Sequence, residues 1–183
     1  MITKGPIAIT QMIKDCITQE MNPEGLLADV ETFVPAYRYE EEMDEPLIWM
    51  YEHETVGVDG TGTMFNRQLL QTPYEFLCVV YSDDSMEESE ILGKDLATRV
   101  AAAIKNNIKH QDEQESYNLK RLLFTSIYPS GTVDIVGKTE RVVATSVKIT
   151  LEYFVDWNYV LSKKGVMYYP KKGIGDSFGE NQN

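Results

Sequence analysis

The side chains able to do chemistry are few and scattered. The two histidines, His53 and His110, stand in different stretches, and neither has a Cys or second His at metal-ligand spacing. Structural or catalytic zinc draws on three or four such groups, so no metal site is expected. The two cysteines, Cys16 and Cys78, lie 62 residues apart and form neither a CxxC pair nor a disulfide framework. Cys78 falls in the apolar run PYEFLCVVY, where a thiol packs as a small hydrophobe. Gly93-Lys94-Asp95 lacks the upstream glycine of a phosphate loop and lies inside a helical pattern. The glycines at Gly57, Gly60 and Gly62 open no helix, and so give no nucleotide cradle. Asp83-Asp84 with Glu87-Glu88 lacks the alternating ligands and central glycine of a calcium loop, and these acids are expected to charge a helix start instead. No catalytic residue and no cofactor is expected.

Charge narrows the partners. The chain has 183 residues, with 17 Lys plus Arg against 29 Asp plus Glu, a net charge of -12. Gripping nucleic acid by neutralising phosphates needs clustered cations, and docking on an anionic membrane needs the same. No run approaches the roughly 20 apolar residues of a membrane span, and MITKGPIAIT carries no signal-peptide core. With 43% hydrophobic residues there is material for one core, and the expected frame is a soluble, single-domain protein of a reducing compartment.

The elements that must position any site follow from periodicity. Ile9, Met12, Ile13, Cys16 and Ile17 recur at three-and-four spacing within the first 22 residues, a helix stopped by Asn22-Pro23-Glu24-Gly25. Val30, Phe33 and Val34 fall in a loosely patterned stretch. Leu47 to Tyr51 opens a strand, residues 57–63 form a glycine-rich hairpin tip, and Pro73 to Tyr81 reads as a central strand covered on both faces by its end. Ser85 caps a long helix to about Ile108, with Leu92, Leu96, Val100, Ile104 and Ile108 every four residues. After a polar connection, Leu119 to Tyr128 forms a strand ended by a turn at Pro129-Ser130-Gly131, and Val133 to Val136 a short one. Arg141 to Trp157 alternates strictly, with a polar opposite face able to offer an edge to a neighbour. The expected fold is α+β, a mostly antiparallel sheet packed on one side by the long helix and the N-terminal helix.

Two segments stand outside this core. Glu40, Glu41, Glu42, Asp44 and Glu45 pack five acids into six residues, a self-repelling run expected to be a solvated loop. Residues 160–183 hold four lysines against two acids, an extended or disordered basic arm after a domain at 1–159. The remainder carries 13 cations against 27 acids, or -14, so arm and body are opposite in sign. In the arm, Tyr168-Tyr169 is flanked by Lys163, Lys164, Lys171 and Lys172 and has no core of its own, which makes it the candidate partner-docking anchor.

The order of these segments resembles a family. An amphipathic N-terminal helix leads to a strand, PYEFLCVVYSDDS runs into ESEILGKDLATRVAAAIKNN, and RLLFTSIYPSG and RVVATSVKITLEYFVDW close the pattern. In this element order residues 6 to 157 are similar to the tail terminator (tail completion) proteins of tailed bacteriophages. The resemblance implies an α+β virion subunit, assembled in the host cytoplasm, that forms a homo-hexameric ring in the neck. That ring caps the tail tube protein, stops its polymerisation, and presents a surface to the head connector or head-closure protein while DNA passes through the lumen. Under this reading Glu40, Glu41, Glu42, Asp44, Glu45 and Asp59 are candidate lumen- or tube-facing acids, since an acidic lining repels phosphate and lets DNA slide. Two other readings stay open: another head–tail connector or head-closure protein, and a small intracellular binding module.

Overall fold

The computed structural model describes residues 5–35, 44–58, 67–81, 85–108, 111–112, 117–133 and 142–156. Helix α1 spans Pro6–Glu20, with Pro6 in the first turn, where a missing N–H leaves no bond unmade. It buries Ala8, Ile9, Met12, Ile13, Cys16 and Ile17, the face that the spacing predicts. The chain then folds back tightly. Leu27 donates its N–H to the Glu20 carbonyl at 2.9 Å, and a Cβ on Gly25 would lie 2.2 Å from that same oxygen. Only glycine fits there, which is why the stop signal ends in one.

Strands β1 (Thr32–Val34), β2 (Leu47–Glu52), β3 (Val56–Gly57) and β4 (Arg67–Val79) precede helix α2 (Met86–Asn107), and β5 (Gln111–Asp112), β6 (Tyr117–Val133) and β7 (Val142–Asp156) follow it. They form a seven-stranded sheet in the order β1-β2-β4-β7-β6-β5, with β3 also paired to β4. Among the described residues only β1 and β2 run parallel. The expected α+β class, mostly antiparallel with helices on one side, is the observed one. The loosely patterned stretch before Pro35 supplies β1, too short at three residues to show a period.

Both helices pack on one face. Leu96, Ala97, Val100, Ala103 and Ile104 of α2 meet Tyr74, Phe76 and Cys78 of β4 and Val147, Ile149, Leu151 and Tyr153 of β7 in one core. Ser85 caps α2, its Oγ accepting the Glu88 N–H at 3.0 Å. The four-residue series in α2 overreaches at its start, for Leu92 is 38% exposed. Four residues turn a helix through about 400°, so such a series drifts roughly 40° per step. Gly93 takes the inward place, and a Cβ there would lie 2.9 Å from Thr145 Oγ1. Gly93 thus brings helix and sheet together.

Three expectations need correcting. The face of β4 turned away from the helices is only half-buried at Gln71, Pro73, Glu75 and Leu77, and closes fully at Leu69 and Val79, 2% and 1% exposed. The long alternating strand is no edge, since β7 is paired along its length with β4 on one side and β6 on the other. The exposed long edge belongs to β6, whose far side carries only β5, opposite Tyr117 and Asn118, among the described residues. Nor does the chain turn at Pro129-Ser130-Gly131. Residues 117–133 are one strand, with register shifts at Leu119/Arg121, Phe124/Ser126 and Pro129/Gly131. Each shift sets one extra β6 residue against β7, and at the last of them Gly131 takes φ +99°, which glycine adopts without strain. A proline on an edge strand beside a bulge breaks no ladder bond.

Gly25→Ala is expected to lower stability by about 1–3 kcal/mol, because the added methyl meets backbone rather than a yielding side chain. A thermal melt checks this; an unchanged midpoint would show that the turn relaxes freely.

Candidate functional site

The sheet face away from the helices carries a grouping of polar and aromatic side chains joined across its strands. Cross-strand register dictates its rows. Trp49, Leu77, Ser146 and Tyr128 share one row, and Tyr51, Glu75, Lys148 and Ser126 the next. Gln71, Glu152 and Arg121 form a third.

Glu75 is the hub. Its Oε1 accepts hydrogen bonds from Ser146 Oγ at 2.5 Å and Tyr128 OH at 3.1 Å. Its Oε2 lies 3.2 Å from His53 Nε2 and 3.4 Å from Lys148 Nζ. Burial pushes the Glu75 pKa up, but the bonds from Ser146 and Tyr128 and the Lys148 ammonium outweigh it and leave it below its ordinary value. Lys148 is held above its ordinary pKa by Tyr128, over whose ring its Nζ sits 5.2 Å from the centroid, and by Glu75. Trp49 and Tyr51 stack beside the hub with centroids 5.6 Å apart and planes 13° from parallel. In the third row Glu152, 5% exposed, accepts both Nε and Nη2 of Arg121, at 2.5 and 3.2 Å. The fork neutralises a carboxylate that burial alone would penalise.

A general base keeps an oxygen available to substrate, whereas each Glu75 oxygen already has two partners. Cys16 and Cys78 are free thiols, 2% and 0% exposed, and burial pushes the Cys78 thiol far up. No group of three or more His, Cys, Asp or Glu among the described residues could hold a metal ion, and no described helix is long and apolar enough to cross a membrane.

Of the acids singled out from sequence, Asp44 and Glu45 are described and the others are not. Asp44 is exposed where β2 begins, its N–H donating to Thr32 Oγ1 at 3.1 Å. Glu40, Glu41, Glu42 and Asp59 lie outside the described residues, as do His110, the arm, and its Lys163, Lys164, Tyr168, Tyr169, Lys171 and Lys172. His53 is exposed and joined to Glu75. The hub itself was not foreseen, although one charged residue inside PYEFLCVVY is the signal that marks it.

No protein-family model matches the chain, and no curated protein matches it. Among solved structures, it is similar to the bacteriophage SPP1 gp17 protein, at 9% identity and a TM-score of 0.36, over 79% of this chain and 90% of that one.

Because the folded-state pKa of Glu75 lies below its ordinary value of 4.5, its ionised form stabilises the fold above that pH, and the contribution is lost as pH falls through the folded-state pKa. Glu75→Gln is therefore expected to flatten the acid limb of stability below about pH 4.5 relative to the parent chain. Melting midpoints from pH 5 down to pH 3 check this; parallel curves would remove Glu75 as a contributor.

Proposed function

We propose that this chain is a structural subunit of the neck of a tailed bacteriophage, acting as a tail terminator. Copies assemble as a hexameric ring on the last ring of tail-tube protein, halt its growth and offer a surface to the head connector, and DNA passes through the lumen. The chain is then a virion protein assembled in the host cytoplasm, with no catalytic step of its own. The observation that carries the reading is the element order. A buried-face N-terminal helix, a sheet strand, a central strand leading into one long helix, and two long closing strands stand in the sequence on which the resemblance rests.

Two physical features support it. Among the described residues the sheet bears helices on one face only, and its other face holds aromatic rings beside ion pairs closed among themselves. Such a face can meet a neighbour without stranding a buried charge. The net charge of -12 suits a conduit, because an acidic wall repels phosphate and DNA slides past it. Asp44, Glu45, Glu40, Glu41, Glu42 and Asp59 are the acids proposed to face the lumen or the tube.

Deleting the gene from a phage that carries it is expected to yield particles whose tails exceed normal length in electron micrographs. Unattached tails of normal length beside heads that leak their DNA would overturn the terminator role and favour a head-closure component.

A further inference from the structure

The helix-covered side of the sheet is incompletely filled. Between the C-terminal half of α2 and β6 lies a groove of about 710 Å³, lined by Ala101, Ile104, Ile108, Leu122, Phe124 and Ile149, with Lys105 at its side. Its origin is visible in the sequence. The Ala101–Ala103 run gives α2 no large knob here, and the register shifts of β6 place both Leu122 and Phe124 on the helix side, opposite Leu151 and Ile149. Phe124 is left 52% exposed over an otherwise apolar floor. A gap of this kind forfeits the contacts that close packing supplies, and its volume is that of a binding cleft.

The same chain contains an anchor without a core, Val166-Met167-Tyr168-Tyr169. We propose that this segment docks in the groove of its own chain, Tyr168 and Tyr169 covering Phe124 and Leu122. Where the described chain ends supports this. The last residue of β7, Asp156, lies seven residues beyond the groove-lining Ile149, about 23 Å along a strand. Tyr168 follows Asp156 by 12 residues, up to about 40 Å of extended chain, enough to double back. A tethered segment acts at an effective concentration on the order of millimolar, which favours it over a copy in solution. The Lys105 ammonium beside the groove suits a tyrosine ring face.

The test is a cysteine pair in the full chain, Ala102→Cys with Pro170→Cys, under mild oxidation. The expected product is an internally bridged monomer within minutes, abolished by adding Phe124→Asp, while Ala102→Cys with Asn183→Cys bridges at least tenfold more slowly. A disulfide-linked dimer would overturn docking in the same chain, and equal rates for the two pairs would overturn docking altogether. Hydrogen exchange supplies a readout free of engineered thiols. Amides of residues 101–108 are expected to exchange at least tenfold faster in Tyr168→Ala/Tyr169→Ala than in the parent chain, and identical exchange would likewise overturn the assignment.

Discussion

The rest of the structure depends on the two-sided pairing of β7. Its backbone is paired to β4 from Ala144 to Asp156 and to β6 from Val142 to Val155. Its helix-side residues, Val143, Thr145, Val147, Ile149, Leu151, Tyr153 and Val155, are each under 9% exposed. A strand so placed fixes three things at once: the register of both neighbours, the floor on which α2 lies, and the row positions of the opposite face. The buried hydroxyls follow from it too. Tyr153 OH meets Thr72 Oγ1 at 2.8 Å, and Thr72 meets Thr55 at 2.8 Å, so that a phenol in the core does not go unbonded. One register slip along β7 would exchange its two faces and bury Lys148 beneath α2.

The two neighbours answer this constraint differently. Strand β4 keeps strict alternation, with Tyr74, Phe76 and Cys78 under the helices and Glu75 and Leu77 on the other side. Strand β6 gains an unpaired residue at each of three register shifts, which adds twist and blunts a long edge that would otherwise template pairing with another chain. The same shifts open the groove beside Ala101. An edge made unsuitable for strand addition and a groove suited to side-chain docking are thus two consequences of one irregularity.

Much of this was legible in the sequence, for reasons that separate cleanly. The apolar face of α1, the Ser85 cap, the central place of PYEFLCVVY and the buried face of 141–157 all rest on local periodicity, which one chain displays in full. The β6 bulges were not legible, because helix-side positions at 119, 122, 124, 127 and 129 fit neither a two-residue nor a 3.6-residue period. Pro129 and Gly131 are turn residues by type, and only the partner strand makes them a bulge. The Glu75 hub was hidden for a related reason. Glu75, Tyr128, Ser146 and His53 come from four stretches, and their meeting is a matter of register.

Among the described residues the sheet has one face covered by helices and one face whose ion pairs close among themselves. The central claim, a ring that caps a tube, is tested most directly by mixing the purified chain with the tail-tube protein of the same phage and measuring the mass of the complex. The account predicts six copies of this chain per tube end, with tube growth halted. A chain that stays monomeric beside tubes that continue to lengthen would contradict it.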